Sequence, residues 1–329
     1  MCTYTPCENE KPILIADSID DEEQNGTVLG SAFPRREICE INFVKMDLED
    51  IPLGAWDVSA DRSKTIWAWI DKMQKDYILN IGSENGVYAN EDCSKLFYRY
   101  LNVSKINFNN MFDTSHATNM RGMFAGCVNL NELDVSGFKT DRVEDMSCMF
   151  WVCENVNNLD LSGFETDCVE DMTGMFYRCK ALTELDLSGF KTGKVKSMRM
   201  MFEDCENLKK LDISRFDTGS VENMEAMFSG CRSLTELDVS GFKTDKVKSM
   251  PDMFFDCENL QSLDVSGFKT DCVEDMSGMF FNCENLENLG VDSLDTSKVK
   301  NVKEMFWGCD KLKSSRGIFN KIRDALLKE

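Results

Sequence analysis

The sequence predicts an α/β repeat solenoid, with coils of short parallel strand and helical turn stacked along one axis, and three observations predict it. Cysteines stand at 127, 153, 179, 205, 231, 257, 283 and 309, each 26 residues after the last. Methionines at 120, 146, 172, 198, 224, 250 and 276 keep the same step, with Val302 in the eighth place. The charge after the repeat valine alternates from Glu170 through Lys196, Glu222, Lys248 and Glu274 to Lys300, as it would if each met its opposite in the neighbouring coil. A unit this short cannot bury its apolar residues alone, whereas stacked units share a continuous core.

Each stretch of the unit M-x-x-M-F-x-x-C-x-x-L-x-x-L-D-V-S-G-F-K-T-D-x-V-x-x has a physical assignment. Met149-Phe150-x-x-Cys153 places apolar side chains three to four apart, the spacing of a helical turn. Leu130 to Val135 alternates apolar and polar over its last residues, which predicts a half-buried strand. Ser136-Gly137 ends that strand and Phe138 returns inward. Thr140-Asp141 reads as a polar turn bonding its own local backbone. Val143-x-x-Met146 begins the return pass.

The ends need caps, since terminal coils would expose core. Thr65–Ile70 and Tyr77–Ile81, joined by the polar Asp71–Asp76, predict a β-hairpin against the first repeat. Leu96 to Thr114 is a worn copy of the unit, with Leu101 where cysteine would stand. Ser315–Lys328 carries Ile318, Phe319, Ile322, Ala325 and Leu326 at helical spacing and predicts a capping helix. The resulting divisions are an acidic, partly disordered leader at 1–55, a β cap with a degenerate repeat at 56–119, the repeats at 120–312 and the helical cap at 313–329.

Composition narrows the function. The net charge of −21 repels a phosphate backbone, so nucleic acid is not an expected partner. No apolar run reaches the ~20 residues a membrane-spanning helix needs, and no secretory signal is read at the start. Catalysis finds little support. His116 is the one histidine, and phosphate-loop, metalloprotease and EF-hand motifs are missing. No enzyme activity, cofactor or metal is expected, and a monomer is.

Four sets of residues remain as candidates. The cysteine column Cys127, Cys153, Cys179, Cys205, Cys231, Cys257, Cys283 and Cys309 could form disulfides or take a metal, but parallel side chains have poor disulfide geometry, so a buried structural ladder is the reading taken. Whether Cys2, Cys7, Cys39, Cys93, Cys148, Cys168 and Cys272 are reactive stays open, with Cys168 and Cys272 expected at exposed turns. Asp134, Asp160, Asp186, Asp212, Asp238 and Asp264 are expected to face outward in a row, either as a binding face or as turn elements bonded to nearby serines. Trp151, Tyr177, Phe255, Phe281 and Trp307 occupy a variable site after the repeat phenylalanine, as recognition anchors or as ridge packing. Trp67 and Trp69 share a strand face that could stack on a sugar, although burial in the cap is the plainer outcome.

The spacing F-x-x-C-x-x-L-x-x-L-D-x-S, with F-x-T-x-x-V-x-x-M between copies, resembles the BspA-like leucine-rich-repeat surface proteins of bacteria. The Trp56-Asp57-Val58-Ser59 and Ala68-Trp69-Ile70 lead-in is similar too, so the resemblance covers roughly residues 56–312. It implies a right-handed leucine-rich-repeat-like coil, and adhesion to a protein or glycan partner at a cell surface. Without an export signal in view, an intracellular scaffold or effector is the alternative. A hydrolase within residues 1–119 is a remote third.

Overall fold

The computed structural model describes residues 11–15, 28–290, 294 and 297–312. The predicted capping helix lies outside them. Among the described residues twelve short strands follow in order: β1 (Ile38–Lys45), β2 (Trp56–Asp57), β3 (Trp67–Met73), β4 (Asp76–Ser83), β5 (Val87–Tyr88), β6 (Lys105–Asn107), β7 (Phe112–Asp113), β8 (Glu132–Leu133), β9 (Glu184–Asp186), β10 (Lys210–Asp212), β11 (Ser262–Asp264) and β12 (Asn288–Gly290).

The chain is a ladder of 26-residue coils. The phenylalanine before each ladder cysteine stacks on its equivalent, with ring centroids 5.7 Å apart from Phe124 to Phe150 and again from Phe150 to Phe176. The file runs from Phe97 to Phe306 with every ring fully or almost fully buried. A second file passes through Phe138, Phe164, Phe190, Phe216, Phe242 and Phe268, also buried. Strands join in parallel between coils, Leu211 against Leu185 in β10 and β9, and Leu289 against Leu263 in β12 and β11. On the opposite side a file of single parallel bridges links Asn119, Asp145, Asp171, Ser197, Asn223, Ser249, Asp275 and Asn301. The predicted register is the observed one. Lys196 pairs with Glu170, Lys248 with Glu222 and Lys300 with Glu274. Each exposed pair contributes only ~0.2–1 kcal/mol, so these charges select register more than they add stability.

The helical turns are not there. Among the described residues the one helical element is a 3-10 turn at Arg35–Glu37. Met120 to Cys127 instead makes tandem four-residue turns, closed by Met123 N–H to Met120 C=O, Ala125 to Gly122 and Cys127 to Phe124. The intervening amides of Gly122, Phe124 and Gly126 donate across to Ser147, Met149 and Trp151 of the next coil. Alternate amides therefore serve the turn and the stack. Two residues per coil take the left-handed region to allow this, Gly122 and Gly126 in one coil and Cys148 and Val152 in the next, both at φ 57°. Tandem turns place apolar side chains three to four apart just as a helix does, which is why periodicity alone misassigned them. Left-handed backbone is costly for a β-branched residue. Val152→Gly is expected to stabilise the chain by about 1 kcal/mol, read as a raised denaturation midpoint. An unchanged or lowered midpoint would count against the turn geometry.

At the N-terminal end β3 and β4 form the predicted antiparallel hairpin. It lies in a six-stranded sheet ordered β2-β3-β4-β1-β6-β8. Strand β1 falls inside what the sequence reading assigned to the leader. Its Ile38, Ile41 and Phe43 are fully buried, and it pairs in parallel with both β4 and β6. The alternation Ile41, Phe43 against Glu40, Asn42 is a strand pattern that the surrounding acidity masked. The cap thus continues the strand ladder of the repeats. The worn unit is also one residue longer than the rest: Phe97 N–H reaches Met123, 26 positions on, where Phe124 reaches Met149. Tyr100, buried to 1% exposure, takes the cysteine's place rather than Leu101.

Candidate functional site

The cysteine column is structural. All thirteen described cysteines are free thiols, and the eight of the ladder are buried. Each ladder thiol donates to the carbonyl of the preceding coil's stacked phenylalanine, Cys153 to Phe124 at 3.2 Å, Cys205 to Phe176 at 3.1 Å and Cys257 to Phe228 at 3.2 Å. Burial pushes the thiols of Cys127, Cys205 and Cys257 up to about 12 and the others at the centre of the ladder well above their ordinary value. A thiol held protonated and hydrogen-bonded is a poor nucleophile. Cys272 is exposed. Brief treatment of the folded chain with an alkylating reagent, followed by peptide mass spectrometry, should label Cys272 while sparing the ladder. Labelling of Cys179 or Cys205 at the rate of Cys272 would contradict this.

A column missed in the sequence lies beside it. Thr114, Thr140, Thr166, Thr192, Thr218, Thr244 and Thr270 are buried polar residues. The hydroxyls of Thr114, Thr140, Thr166, Thr192, Thr218 and Thr244 bond the next coil, not their own turn as that of Thr140 was expected to; the turn is closed by backbone alone, Val143 N–H to Thr140 C=O. Thr140 Oγ1 donates to the Glu165 carbonyl at 2.9 Å and accepts from the Glu165 N–H at 2.8 Å, and Thr218 does the same with Lys243. The recurrence of this threonine at 26-residue steps through eight units, from Thr114 to Thr296, was the available signal.

Outside the core, each strand presents two exposed files. The aspartates Asp134, Asp160, Asp186, Asp212, Asp238 and Asp264 are all exposed and each accepts through Oδ1 from the serine N–H two residues on, at 2.9–3.1 Å. Serine hydroxyl and amide bonds hold the carboxyls of Asp160, Asp186, Asp238 and Asp264 below the usual range. The structural role and the outward row therefore coexist. Among the described residues no three His, Cys, Asp or Glu side chains gather as a metal site. The neighbouring file is exposed and varied: Glu132, Asn158, Glu184, Lys210, Glu236, Ser262 and Asn288.

The aromatic file packs along its ridge. Trp151 stacks on Tyr177 at 3.8 Å and Phe255 on Phe281 at 4.6 Å, all four half-buried, while Trp307 is 67% exposed. Trp151 also lies over Gly174, where a Cβ would come within 2.5 Å of its Cζ3. Glu203 interrupts this file. Burial first, then Asp204, pushes its carboxyl up to about 7, against an opposing Arg199. A carboxyl raised from 4.5 to about 7 gives a contribution fully present below pH 4.5 and lost as pH rises through about 7. Glu203→Gln should accordingly leave stability at pH 4 unchanged and raise it at pH 8 by about 1 kcal/mol, a figure discounted for solvent screening. Equal effects at both pH values would refute the assignment.

Where cap and repeats meet, the strand face deepens into a groove of about 730 Å³. Phe108, Phe112 and Phe138 form its aromatic wall, with Phe108 and Phe138 edge to face at 5.1 Å. Of the predicted aspartates, Asp134 lines it, together with Glu132, while the other five continue along the repeats. Asn107, Asn109, Asn110, Asn131, Asn157 and Asn158 supply most of its remaining polar side chains. The runs N-F-N-N at 107–110 and N-V-N-N at 155–158 are the trace this groove leaves in the sequence. Trp67 and Trp69 stand on the sheet face opposite the fully buried Ile66 and Ala68, half-buried rather than enclosed in the cap core.

Fold and surface together define a repeat-stack protein held by phenylalanine, cysteine and threonine ladders, with regular outward files on its strand side. A model of the family described as "Mycoplasma protein of unknown function, DUF285" matches residues 91–211 and again 198–319, and the chain belongs to that family. No curated protein and no solved structure matches it.

Proposed function

We propose that this chain is a non-catalytic, monomeric binding module that presents the strand side of its stack to a protein or glycan partner. The observation that carries the reading is the contrast between files: core and aspartate positions repeat, while Glu132, Asn158, Glu184, Lys210, Glu236, Ser262 and Asn288 vary and are all exposed. A surface that only had to be soluble has no need of one rigid, evenly spaced, chemically varied row, whereas a recognition surface does. The BspA-like motif favours adhesion at a cell surface. The free thiols favour a second reading, an intracellular scaffold, because reduced cysteine suits a reducing compartment. Fractionation of the native cells separates the two.

The test of the binding face is a combined Glu184→Ala, Lys210→Ala, Glu236→Ala and Ser262→Ala variant, which alters no core or ladder residue. Affinity for a partner captured by the unaltered chain is expected to fall at least tenfold. Undiminished capture with an unchanged circular dichroism spectrum would remove this face from consideration.

A further inference from the structure

The outer face of the cap sheet carries a feature that the repeats do not share. Trp69 pairs with Asn80 across β3 and β4, Asn80 with Asn42 across β4 and β1, and Asn42 with Asn107 across β1 and β6. Strand pairing puts these residues on one face, with Leu79, Ile41 and Ile106 buried on the other; Asn80 is itself buried beneath this face, and Asn42 and Asn107 are half-buried. The amides are linked in a chain. Asn80 donates to Asp71 at 2.9 Å, Asn42 donates to Asn80 at 3.5 Å, and Asn107 donates to Asn42 at 2.6 Å and to Glu40 at 2.9 Å. Both amide hydrogens of Asn107 are thereby used and its carbonyl oxygen is left to accept. Trp69 lies over Gly82, where a Cβ would come within 2.8 Å of its Cζ3, so the indole rests against the sheet. Asn107, at the other end of the chain, is also a wall of the groove.

The groove is electrically balanced in a chain of net charge −21. Its three lysines, Lys11, Lys105 and Lys139, are equal in number to its three carboxylates, Asp113, Glu132 and Asp134. Lys11 is bonded to Asp113 and Lys105 to Glu132. What remains to contact a ligand are the exposed amides of Asn110, Asn131, Asn157 and Asn158, which both donate and accept, the Asn107 carbonyl oxygen, and the half-buried ring of Phe108. The side chains of Asn131, Asn157 and Asn158 are exposed at the end of the strip. From β3 to β8 the strip crosses four inter-strand steps, about 19 Å, the reach of an oligosaccharide rather than of one sugar.

We infer that this strip, from the Trp67 and Trp69 platform through the amide chain into the groove, binds a neutral oligosaccharide. Indole faces stack on the apolar faces of pyranose rings, and the exposed groove amides match hydroxyl groups, which also donate and accept at once, while the internally bonded chain from Asn80 to Asn107 holds the floor between them rigid. An anionic glycan meets no unpaired cation cluster here and is repelled by the chain as a whole. The inference deepens the binding-module reading and rests on it.

The test uses the full chain with maltohexaose, cellohexaose and chitohexaose in turn, followed by calorimetry and tryptophan fluorescence. At least one is expected to bind saturably, with affinity reduced tenfold or more by Trp69→Ala and by Asn107→Ala, and largely kept by Trp69→Phe. Asn131→Ala and Asn158→Ala change exposed side chains and decide the matter should Trp69→Ala fail to fold; each is expected to weaken binding several-fold. Binding of none of the three, binding indifferent to all these changes, or selective binding of a heparin hexasaccharide or of a peptide through Trp69 overturns the inference. Loss of partner capture by the repeat-face variant, with no saccharide bound, sinks the glycan strip alone; failure of both sinks the binding module as well.

Discussion

Phe202→Ala is expected to destabilise the chain by about 3–5 kcal/mol and to split its unfolding into two transitions. Phe202 is fully buried between Phe176, 5.7 Å away at an interplanar angle of 5°, and Phe228, 5.6 Å away at 8°. Alanine leaves a void in the middle of the file that neighbouring rings, each clamped by its own partner, cannot collapse to fill. The second effect follows from the architecture. In a stack each coil touches only its neighbours, so stability is close to a sum of unit and interface contributions, and a weakened interface uncouples what lies on either side. Urea unfolding followed by circular dichroism and by tryptophan fluorescence would show it, since Trp151 lies on the N-terminal side of the void and Trp307 on the other. Coincident curves with an unshifted midpoint would mean that the phenylalanine file does not couple the coils.

The second large effect is expected at Thr218→Val, at about 2–4 kcal/mol. Valine fills the same space and is more apolar, so an account based on burial alone would have the change neutral or stabilising. Thr218 is fully buried, and its hydroxyl donates to the Lys243 carbonyl at 2.9 Å and accepts from the Lys243 amide at 2.7 Å. Removing it leaves two backbone groups of the next coil without partners, and unpaired buried polar groups are costly. Thr218→Ser keeps the oxygen and should lose less than half as much. A valine variant as stable as the serine one would show that the threonine file is only a space-filler.

Much of the stack was legible because a repeat states its own register. Eight cysteines in one phase fixed the coil length, and the alternating charges from Glu170 to Lys300 predicted neighbours that the structure pairs. Side-chain spacing says which residues face inward but not which backbone path carries them. Met149, Phe150 and Cys153 are buried whether they lie on a helix or on tandem turns, and only the left-handed φ of Cys148 and Val152 distinguishes the two. No residue-type signal marks those positions, because glycine, cysteine, valine, methionine and aspartate all occupy them in different coils. The threonine file was misplaced for a related reason. A hydroxyl beside a turn bonds its own backbone in most proteins, whereas here the nearest backbone belongs to the next coil. Strand β1 was hidden in an acidic segment, where net charge spoke louder than the alternation of Ile41 and Phe43. Of the surface, the aspartate row and its serine bonds were both foreseen, while the asparagine groove was not, because it is assembled from a worn repeat, a cap strand and two coils that no single motif spans.

Anomalous diffraction from the native sulfurs tests the central claim most directly. The account predicts that the Sγ atoms of residues 127, 153, 179, 205, 231, 257, 283 and 309 form one continuous file, spaced about 5 Å apart as adjacent strands are, inside a dry core and each facing a phenylalanine carbonyl. Sulfur peaks that are scattered, joined in pairs by disulfide bonds, or placed at the solvent boundary would contradict it.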